Sequence, residues 1–230
     1  MSNDSDSIRL NKYLALHAGI SRREADEFID KNQVTINGQI AKIGVQVSPG
    51  DEVRLRGNLI DDSTSMEYLL FHKPVGYVCS RRAQGSDPTI YDIIPGKYHS
   101  LKTVGRLDRD SSGLILLTND GDFSQSMTHP RYAKVKRYNV LLDKPLEPLH
   151  QQMIADIGVN LDDGQSQLGL ERMDDSRANW IVTMSEGRNR QIRRTFSALG
   201  YVVSKLHRTD FGPYTIGELA PGQIKIASKL

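Results

Sequence analysis

Apolar and polar positions alternate along this chain in short runs, and the period of the runs changes several times. Leu10, Tyr13, Leu14 and Ala18 fall at helical spacing, and Gly19 supplies a stop. Ser21, with Glu24 three residues on, makes a capping box that opens a second helix over Arg22 to Lys31. Val34-Thr35-Ile36 then reads as a strand, and Asn37-Gly38 is the strongest short hairpin signal available. Ile43 to Val47 continues as a second short strand. Pro49-Gly50-Asp51 turns the chain, and Glu52-Val53-Arg54-Leu55 alternates as another strand. Two short helices and a small sheet make a marginal core, the mark of an accessory binding module.

Gly57 to Glu67 is polar and acidic without a sustained apolar period, and is expected to be a linker. From Tyr68 the character changes. Tyr68 to Val78 reads as strand, turn, strand. Leu114-Ile115-Leu116-Leu117 is too short an apolar run for a full helix and reads as a buried strand. Tyr138 to Leu142 and Trp180 to Met184 are further strands. Leu149 to Ile157 is expected as a helix through Leu149, Met153 and Ile157, and Arg190 to Leu199 as a helix ended by Gly200. The expected fold class is α+β. A small helical/β domain over residues 7–56 and a linker over 57–67 precede a larger domain over 68–230, built on a large, mostly antiparallel or mixed sheet.

Composition narrows the picture. Of 230 residues, 38% are hydrophobic and 25% charged, as in a soluble globular chain, and no apolar run approaches a membrane span. Met1 to Ser7 is polar with two acids, unlike a secretory or transit leader, so a cytoplasmic location is the expectation. A single cysteine, Cys79, excludes an internal disulfide and a multi-cysteine zinc site. The six histidines form no metal-ligand cluster by spacing. Net charge is only +2, but its distribution is uneven. Arg131 to Arg137 carries four bases and no acid, Arg188 to Arg194 carries four arginines and no acid, and the acids gather at Asp61-Asp62, Asp162-Asp163 and Asp174-Asp175. Concentrated basic stretches in a near-neutral chain suit a phosphate-tracking surface.

The candidate chemistry centres on Gly105-Arg106-Leu107-Asp108-Arg109-Asp110-Ser111-Ser112-Gly113. Asp108 lies on the approach to a core strand, where a rigid element can hold it. Arginines on either side favour its ionised form, the state required of a nucleophile or general base. Two more pieces join it: Lys136-Arg137-Tyr138, and Glu186-Gly187-Arg188-Asn189-Arg190-Gln191-Ile192-Arg193-Arg194. A carboxylate, an aromatic and arginines are the parts needed to hold a flipped-out nucleotide and act on it.

Residues 7 to 56 resemble the small RNA-binding domain first known from a ribosomal small-subunit protein. The likeness rests on Arg9-Leu10-Asn11-Lys12-Tyr13-Leu14, Ser21-Arg22-Arg23-Glu24-Ala25, Val34-Thr35-Ile36-Asn37-Gly38 and Pro49-Gly50-Asp51. It implies RNA-backbone contacts at Arg9, Lys12, Arg22 and Arg23. The remainder is similar to ribosomal pseudouridine synthases of the small-subunit synthase A type and to the related large-subunit enzymes. That likeness rests on Lys73-Pro74-Val75-Gly76, Gly105-Arg106-Leu107-Asp108 with Ser112-Gly113-Leu114 and Thr118-Asn119-Asp120-Gly121, Lys136-Arg137-Tyr138, and Glu186 to Arg194.

The resemblance implies isomerisation of a ribosomal uridine to pseudouridine. Asp108 matches the family's essential aspartate, Tyr138 the tyrosine packed on the target base, Arg193 the basic residue paired with the aspartate, Arg106 an arginine near the flipped nucleotide, and Ile192 an apolar wall of the base pocket. Arg188, Arg190 and Arg194 are expected as phosphate contacts. The reaction gains and loses no group, so no cofactor or metal is expected. The expected partner is structured ribosomal RNA, without a membrane, and a monomer is the default. Asn189 to Arg194 looks more like the large-subunit enzymes and the short tail more like the small-subunit enzyme, while Thr195-Phe196 departs from the Met that usually follows the double arginine; the lean is to the large subunit. Two rivals remain: a non-catalytic RNA-binding or assembly factor, and a glycosidase using Asp108 with Asp110 as its second acid.

Overall fold

The computed structural model of the chain describes residues 7–81 and 85–230. The polar leader, apart from Ser7, lies outside the described residues. Chain contacts divide the molecule into two compact units, the first up to Glu67 and the second from Tyr68 onward, with the short segment 119–121 grouped with the first.

In the first unit, helices Leu10–His17 and Arg22–Asp30 pack over small sheets. The capping box is formed: Ser21 Oγ accepts from the Glu24 amide at 3.1 Å, and the Glu24 carboxylate accepts from the Ser21 amide at 3.2 Å. Two of the second helix's otherwise unpaired end groups are thereby satisfied. Asn37 and Gly38 both take positive φ, +51° and +80°, and join Val34–Ile36 to Gln39–Ile40. This is the primed turn that suits the twist of a two-residue hairpin. The core is Leu10, Tyr13, Leu14, Ala25, Ile29, Val34, Ala41, Val47 and Val53.

Two expectations fail here. The strand expected over Ile43 to Val47 shrinks to Gln46–Val47, which pairs with Ile8–Arg9, because Gly44 at φ +92° interrupts the extended backbone. The expected linker begins with structure: Asn58–Leu59 pairs with Val53–Leu55 across a turn in which Arg56 and Gly57 have φ of +51° and +81°. Ile60 packs on the same core.

The second unit is built on a nine-stranded mixed sheet. Its main path runs Gly169–Arg172, Asn179–Met184, Lys136–Leu142, Val203–Phe211, Ser112–Thr118, Tyr68–Lys73, Ile224–Ile226, with Lys102–Val104 and Tyr214–Thr215 attached. Neighbours are antiparallel except Val203–Phe211 beside Ser112–Thr118, where His207 and Arg208 pair with Ser112 and Gly113 in parallel. Gly113 is indispensable there. Its φ is +111°, and a Cβ would lie 2.2 Å from the Arg208 carbonyl oxygen. Only glycine lets the two backbones approach so closely.

The expected strand after Gly76 is reduced to a single bridge between Val78 and Thr89. The helix expected from Leu149 to Ile157 is present in altered form: Pro148–Gln152 is α-helical and Met153–Ile157 widens to a π-turn. The widening changes the phase, so Ile154 is buried while Leu149 and Ile157 are exposed. A helix over Gly121–Thr128, buried through Phe123 and Met127, was not foreseen. No helix among the described residues is long and apolar enough to cross a membrane.

Candidate active site

Asp108 sits in the loop between Lys102–Val104 and Ser112–Thr118. The loop is held from below. Lys73, fully buried, donates from Nζ to the carbonyl oxygens of Pro74 (3.0 Å), Asp108 (3.0 Å) and Ser111 (2.6 Å). Gly76, at φ +97°, donates its amide to the Arg109 carbonyl at 2.7 Å. Lys73-Pro74-Val75-Gly76 is thus a clamp on the backbone that carries Asp108. Burial lowers the Lys73 pKa to about 8, against which Cys79, Asp108 and Asp110 act to raise it. The ammonium remains the charged form at neutral pH, with all three N–H groups occupied.

The Asp108 side chain is one-third exposed, and its nearest cation is Arg190, whose Nη1 lies 3.6 Å from Oδ2. Arg190 also grips Asp110 through two bonds, Nη1 to Oδ1 at 3.0 Å and Nη2 to Oδ2 at 2.9 Å. That fork geometry is the strong form of a carboxylate–guanidinium pair, and it holds the Asp110 carboxyl below its usual range. Arg190 stands at the mouth of the helix Gln191–Ser197 with a left-handed backbone, φ +45°. A non-glycine residue in that region is uncommon and carries a strain of about 1–3 kcal/mol.

The expected pairing of Arg193 with Asp108 is therefore corrected. Arg193 donates to the carbonyls of Val203 (2.6 Å) and Asp110 (2.8 Å) and lies 3.3 Å from the Asp110 carboxylate. It acts one residue-pair away, fixing the loop's far shoulder. Asp110 likewise serves as an arginine acceptor.

A cavity of about 420 Å³ opens above Asp108, within the ~300–1,000 Å³ common for ligand clefts. Tyr138, Ile192, Leu206 and Phe211 supply apolar wall, and Arg106 and Asp108 supply polar rim. Tyr138 and Ile192 are almost fully buried, and Arg106 is exposed. Thus Arg106, Asp108, Tyr138 and Ile192 meet around one space. Glycine at 105, with φ +69°, starts the loop's turn towards it.

The other arginines behave differently from expectation. Arg188 lines the cavity, but its guanidinium is occupied by the Asp163 carboxylate (2.8 Å) and by the carbonyls of Asp163, Gly164 and Gln165. Arg194 is bound to the Asp163 carboxylate at 2.6 Å and to the Asn189 carbonyl at 2.9 Å. Both staple the hairpin Val159–Leu161/Gly164–Ser166 to the arginine-bearing segment, which leaves little capacity for phosphate. The acid run Asp162-Asp163 was the available signal for this. In the first unit Arg9, Arg22 and Arg23 are exposed and Lys12 is half-buried, on or beside its two helices. Reading the sequence alone also missed Arg208, a buried cation in the cavity wall.

Comparison with known proteins agrees with this geometry. Residues 67–198 match the family model described as RNA pseudouridylate synthase, and residues 8–53 match that of the S4 domain. The chain is 39% identical to the ribosomal small subunit pseudouridine synthase A of Pasteurella multocida, with 96% of each chain covered. It is 33% identical to the ribosomal large subunit pseudouridine synthase B of Bacillus subtilis, covering 94% of this chain and 91% of that one. A crystal structure of a pseudouridylate synthase superposes with a TM-score of 0.67 at 35% identity, covering 96% of both chains. On its matched length, its level of identity and the cavity just described, this chain belongs to the RNA pseudouridylate synthase family and carries an S4 domain ahead of its catalytic unit.

Proposed function

We propose that this chain converts one uridine of small-subunit ribosomal RNA to pseudouridine, with Asp108 as the reacting carboxylate. The observation that carries the reading is the position of Asp108: clamped by Lys73 from below, faced by Arg190, and opening on a cavity walled by Tyr138 and Ile192. A uracil extruded from its stack meets the Tyr138 ring, and a base–aromatic contact of this kind is worth about 1–3 kcal/mol. Asp108 then lies at the sugar. It either attacks the anomeric carbon or takes the proton from its neighbour, with the Arg190 guanidinium 3.6 Å from Oδ2 in both cases.

The small-subunit target, in place of the large-subunit lean of the sequence, is supported by the relatives. The Pasteurella multocida protein, named for the small subunit, is 39% identical to this chain, against 33% for the Bacillus subtilis protein named for the large. A ribosomal substrate places the work in the cytoplasm. Arg9, Lys12, Arg22 and Arg23 provide backbone contacts on the S4 unit. The glycosidase alternative is disfavoured because its second acid, Asp110, is locked in a fork with Arg190 and its carboxyl is held ionised.

The test is Asp108→Asn, which keeps the shape and removes the charge. Nucleoside mass spectrometry of small- and large-subunit RNA incubated with each protein should show one pseudouridine formed in small-subunit RNA by the wild type and none by the variant. Product from the variant rejects the role of Asp108. Product confined to large-subunit RNA rejects the target.

A further inference from the structure

We propose that Arg208 is a catalytic residue that binds the uracil ring after it has left the sugar and stabilises the negative charge it then carries. The inference rests on the uridine-isomerising reading above and extends it to the fate of the leaving group.

Arg208 lies in the strand Val203–Phe211, directly opposite Tyr138 of the neighbouring strand. It lines the cavity yet is only 2% exposed. Its Nε donates to the Leu114 carbonyl at 2.7 Å, its Nη2 finds no acceptor, and no carboxylate pairs with it among the described residues. A buried guanidinium without a counter-charge is costly. A second cation, the half-buried Lys136, stands nearby: the two flank Phe211, with Arg208 Cζ 4.9 Å and Lys136 Nζ 5.3 Å from the ring centroid. Lys136 donates to the Glu186 carbonyl at 3.1 Å, and burial followed by the charge of Arg208 depresses its pKa. The cavity floor therefore holds positive charge in excess of what the protein neutralises.

Two departures from regular sheet geometry converge on this residue. The pairing register shifts between Arg137 and Tyr138, so Arg137 faces Asp210 while Tyr138 faces Arg208, and Thr209 is bulged out. The bulge lets Arg208 and Phe211, three residues apart, share the cavity face, which regular alternation forbids. On the other side, Gly113 at φ +111° lets the neighbouring backbone press against that of Arg208. The Arg208 backbone is thus fixed from both edges.

Depth and surroundings decide the ligand. The walls beside Arg208 are Tyr138, Leu206 and Phe211, all buried. A planar base fits between them, whereas a phosphate tied to its chain belongs at the rim. In the reaction the bond from uracil N1 to the sugar carbon breaks and N1 keeps both electrons. The uracil becomes a monoanion with charge shared among N1, O2 and O4. The sugar carbon is meanwhile held by the Asp108 carboxylate, or becomes the glycal after its neighbour's proton passes to Asp108. The anion turns, C5 bonds to the sugar carbon, and either the carboxylate leaves or the proton returns. C5 then loses its proton and N1 gains one, so atoms and charge balance. A fixed guanidinium at the base is a donor aimed where charge develops, and removing one such donor costs about 10²–10³ in kcat.

The experiment uses the full chain and a small-subunit RNA fragment whose target uridine is replaced, in separate syntheses, by 2-thiouridine or 4-thiouridine. Thionation weakens an acceptor oxygen and makes the base a better leaving group. We expect Arg208→Gln to lower single-turnover rate about 10²–10³-fold while RNA affinity and melting temperature stay near wild type. The ratio of thio to oxo rates should rise in the variant for at least one thio substrate, since it has lost the donor and depends more on leaving-group acidity. Arg208→Lys should show a smaller loss and a smaller rise, and it carries the test if the Gln variant misfolds. An unchanged ratio with both thio substrates overturns the proposal, as does a defect confined to RNA affinity and its salt dependence, which marks a phosphate contact. Asp108→Asn run in parallel separates the two readings. An active Asn variant defeats the assignment of the site, whereas an inactive one beside a fully active Arg208→Gln defeats only this inference.

Discussion

Lys73 Nζ donates to the Asp108 carbonyl oxygen at 3.0 Å, and the same ammonium holds Ser111 and Pro74. The Asp108 carboxylate is therefore placed by its own backbone, through a cation that is itself fully buried. Lys73→Met should leave three buried carbonyls short of a donor, each costing about 1–3 kcal/mol. Urea denaturation should show the loss of stability, and turnover should fall with it. A variant as stable as the wild type would mean the clamp is replaceable by water.

The same lysine gives a pH signature. Its folded pKa is about 8, below the ordinary 10.5. Below pH 8 both folded and unfolded states hold the proton, so the cost of burying the charge is fully present. Between pH 8 and 10.5 the unfolded state binds more protons, and the stability contributed by this group rises with pH. Turnover should move the other way, because a neutral amine has two N–H groups for three carbonyls and the Asp108 loop loosens. Comparing wild type with Lys73→Met by denaturant melts at pH 7 and pH 9.5 isolates the effect. The gain in stability should vanish in the variant.

Arg190 and Arg193 should separate cleanly. Arg190 lies beside Asp108 and forks onto Asp110, whereas Arg193 reaches two backbone carbonyls and is largely buried. Arg190→Gln is expected to reduce kcat with a small change in melting temperature. Arg193→Gln is expected to reduce stability first. Asp110 adds a linked prediction: its folded pKa is depressed, chiefly by the Arg190 hydrogen bond. Its stabilisation is present above pH 3.8 and lost as pH falls through the folded value. Acid unfolding should begin at higher pH in Arg190→Gln than in the wild type, and equal midpoints would show that the fork adds nothing.

Gly113→Ala tests the close approach of the two parallel strands. The added carbon would sit 2.2 Å and 2.5 Å from backbone atoms of Arg208, at a φ of +111°. Backbone cannot yield as a flexible side chain does. The substitution should cost more than the ~1–3 kcal/mol typical of a strained residue, and thermal melting should reveal a large drop.

Local signals in this sequence carried most of the fold. The Ser21–Glu24 box and the Asn37-Gly38 turn are set by neighbouring residues alone, and both are formed. The Arg56-Gly57 hairpin was hidden because arginine is not a residue that advertises positive φ. The helix Gly121–Thr128 was hidden because only Phe123 and Met127 mark its buried face. At the site, motifs named Asp108, Tyr138 and Ile192, but could not say which arginine faces the carboxylate. Arg190 and Arg193 are less than one helical turn apart, and the choice depends on the left-handed backbone at Arg190. Arg208 was invisible for a different reason. A lone arginine in an alternating strand reads as an outward residue, and its burial follows from pairing and a bulge set by strands distant in sequence.

The S4 unit yields a prediction that does not depend on the chemistry. Arg22 and Arg23 are exposed at the start of a helix whose capping box fixes its direction, and Arg9 is exposed just before the other helix. Phosphate contacts release counterions, so each one lost lowers the slope of log affinity against log salt by about 1. Replacing Arg22 and Arg23 together by Ala should therefore weaken binding to structured RNA at low salt and flatten the salt dependence by up to about 2. The helix itself should survive, since Ser21, Glu24, Ala25 and Ile29 are untouched, and circular dichroism can verify this. Turnover at saturating RNA should stay near wild type, because the Asp108 loop and its clamp lie in the other unit. A salt titration with an unchanged slope would move the RNA path off this pair of helices, towards the basic run from Arg131 to Arg137.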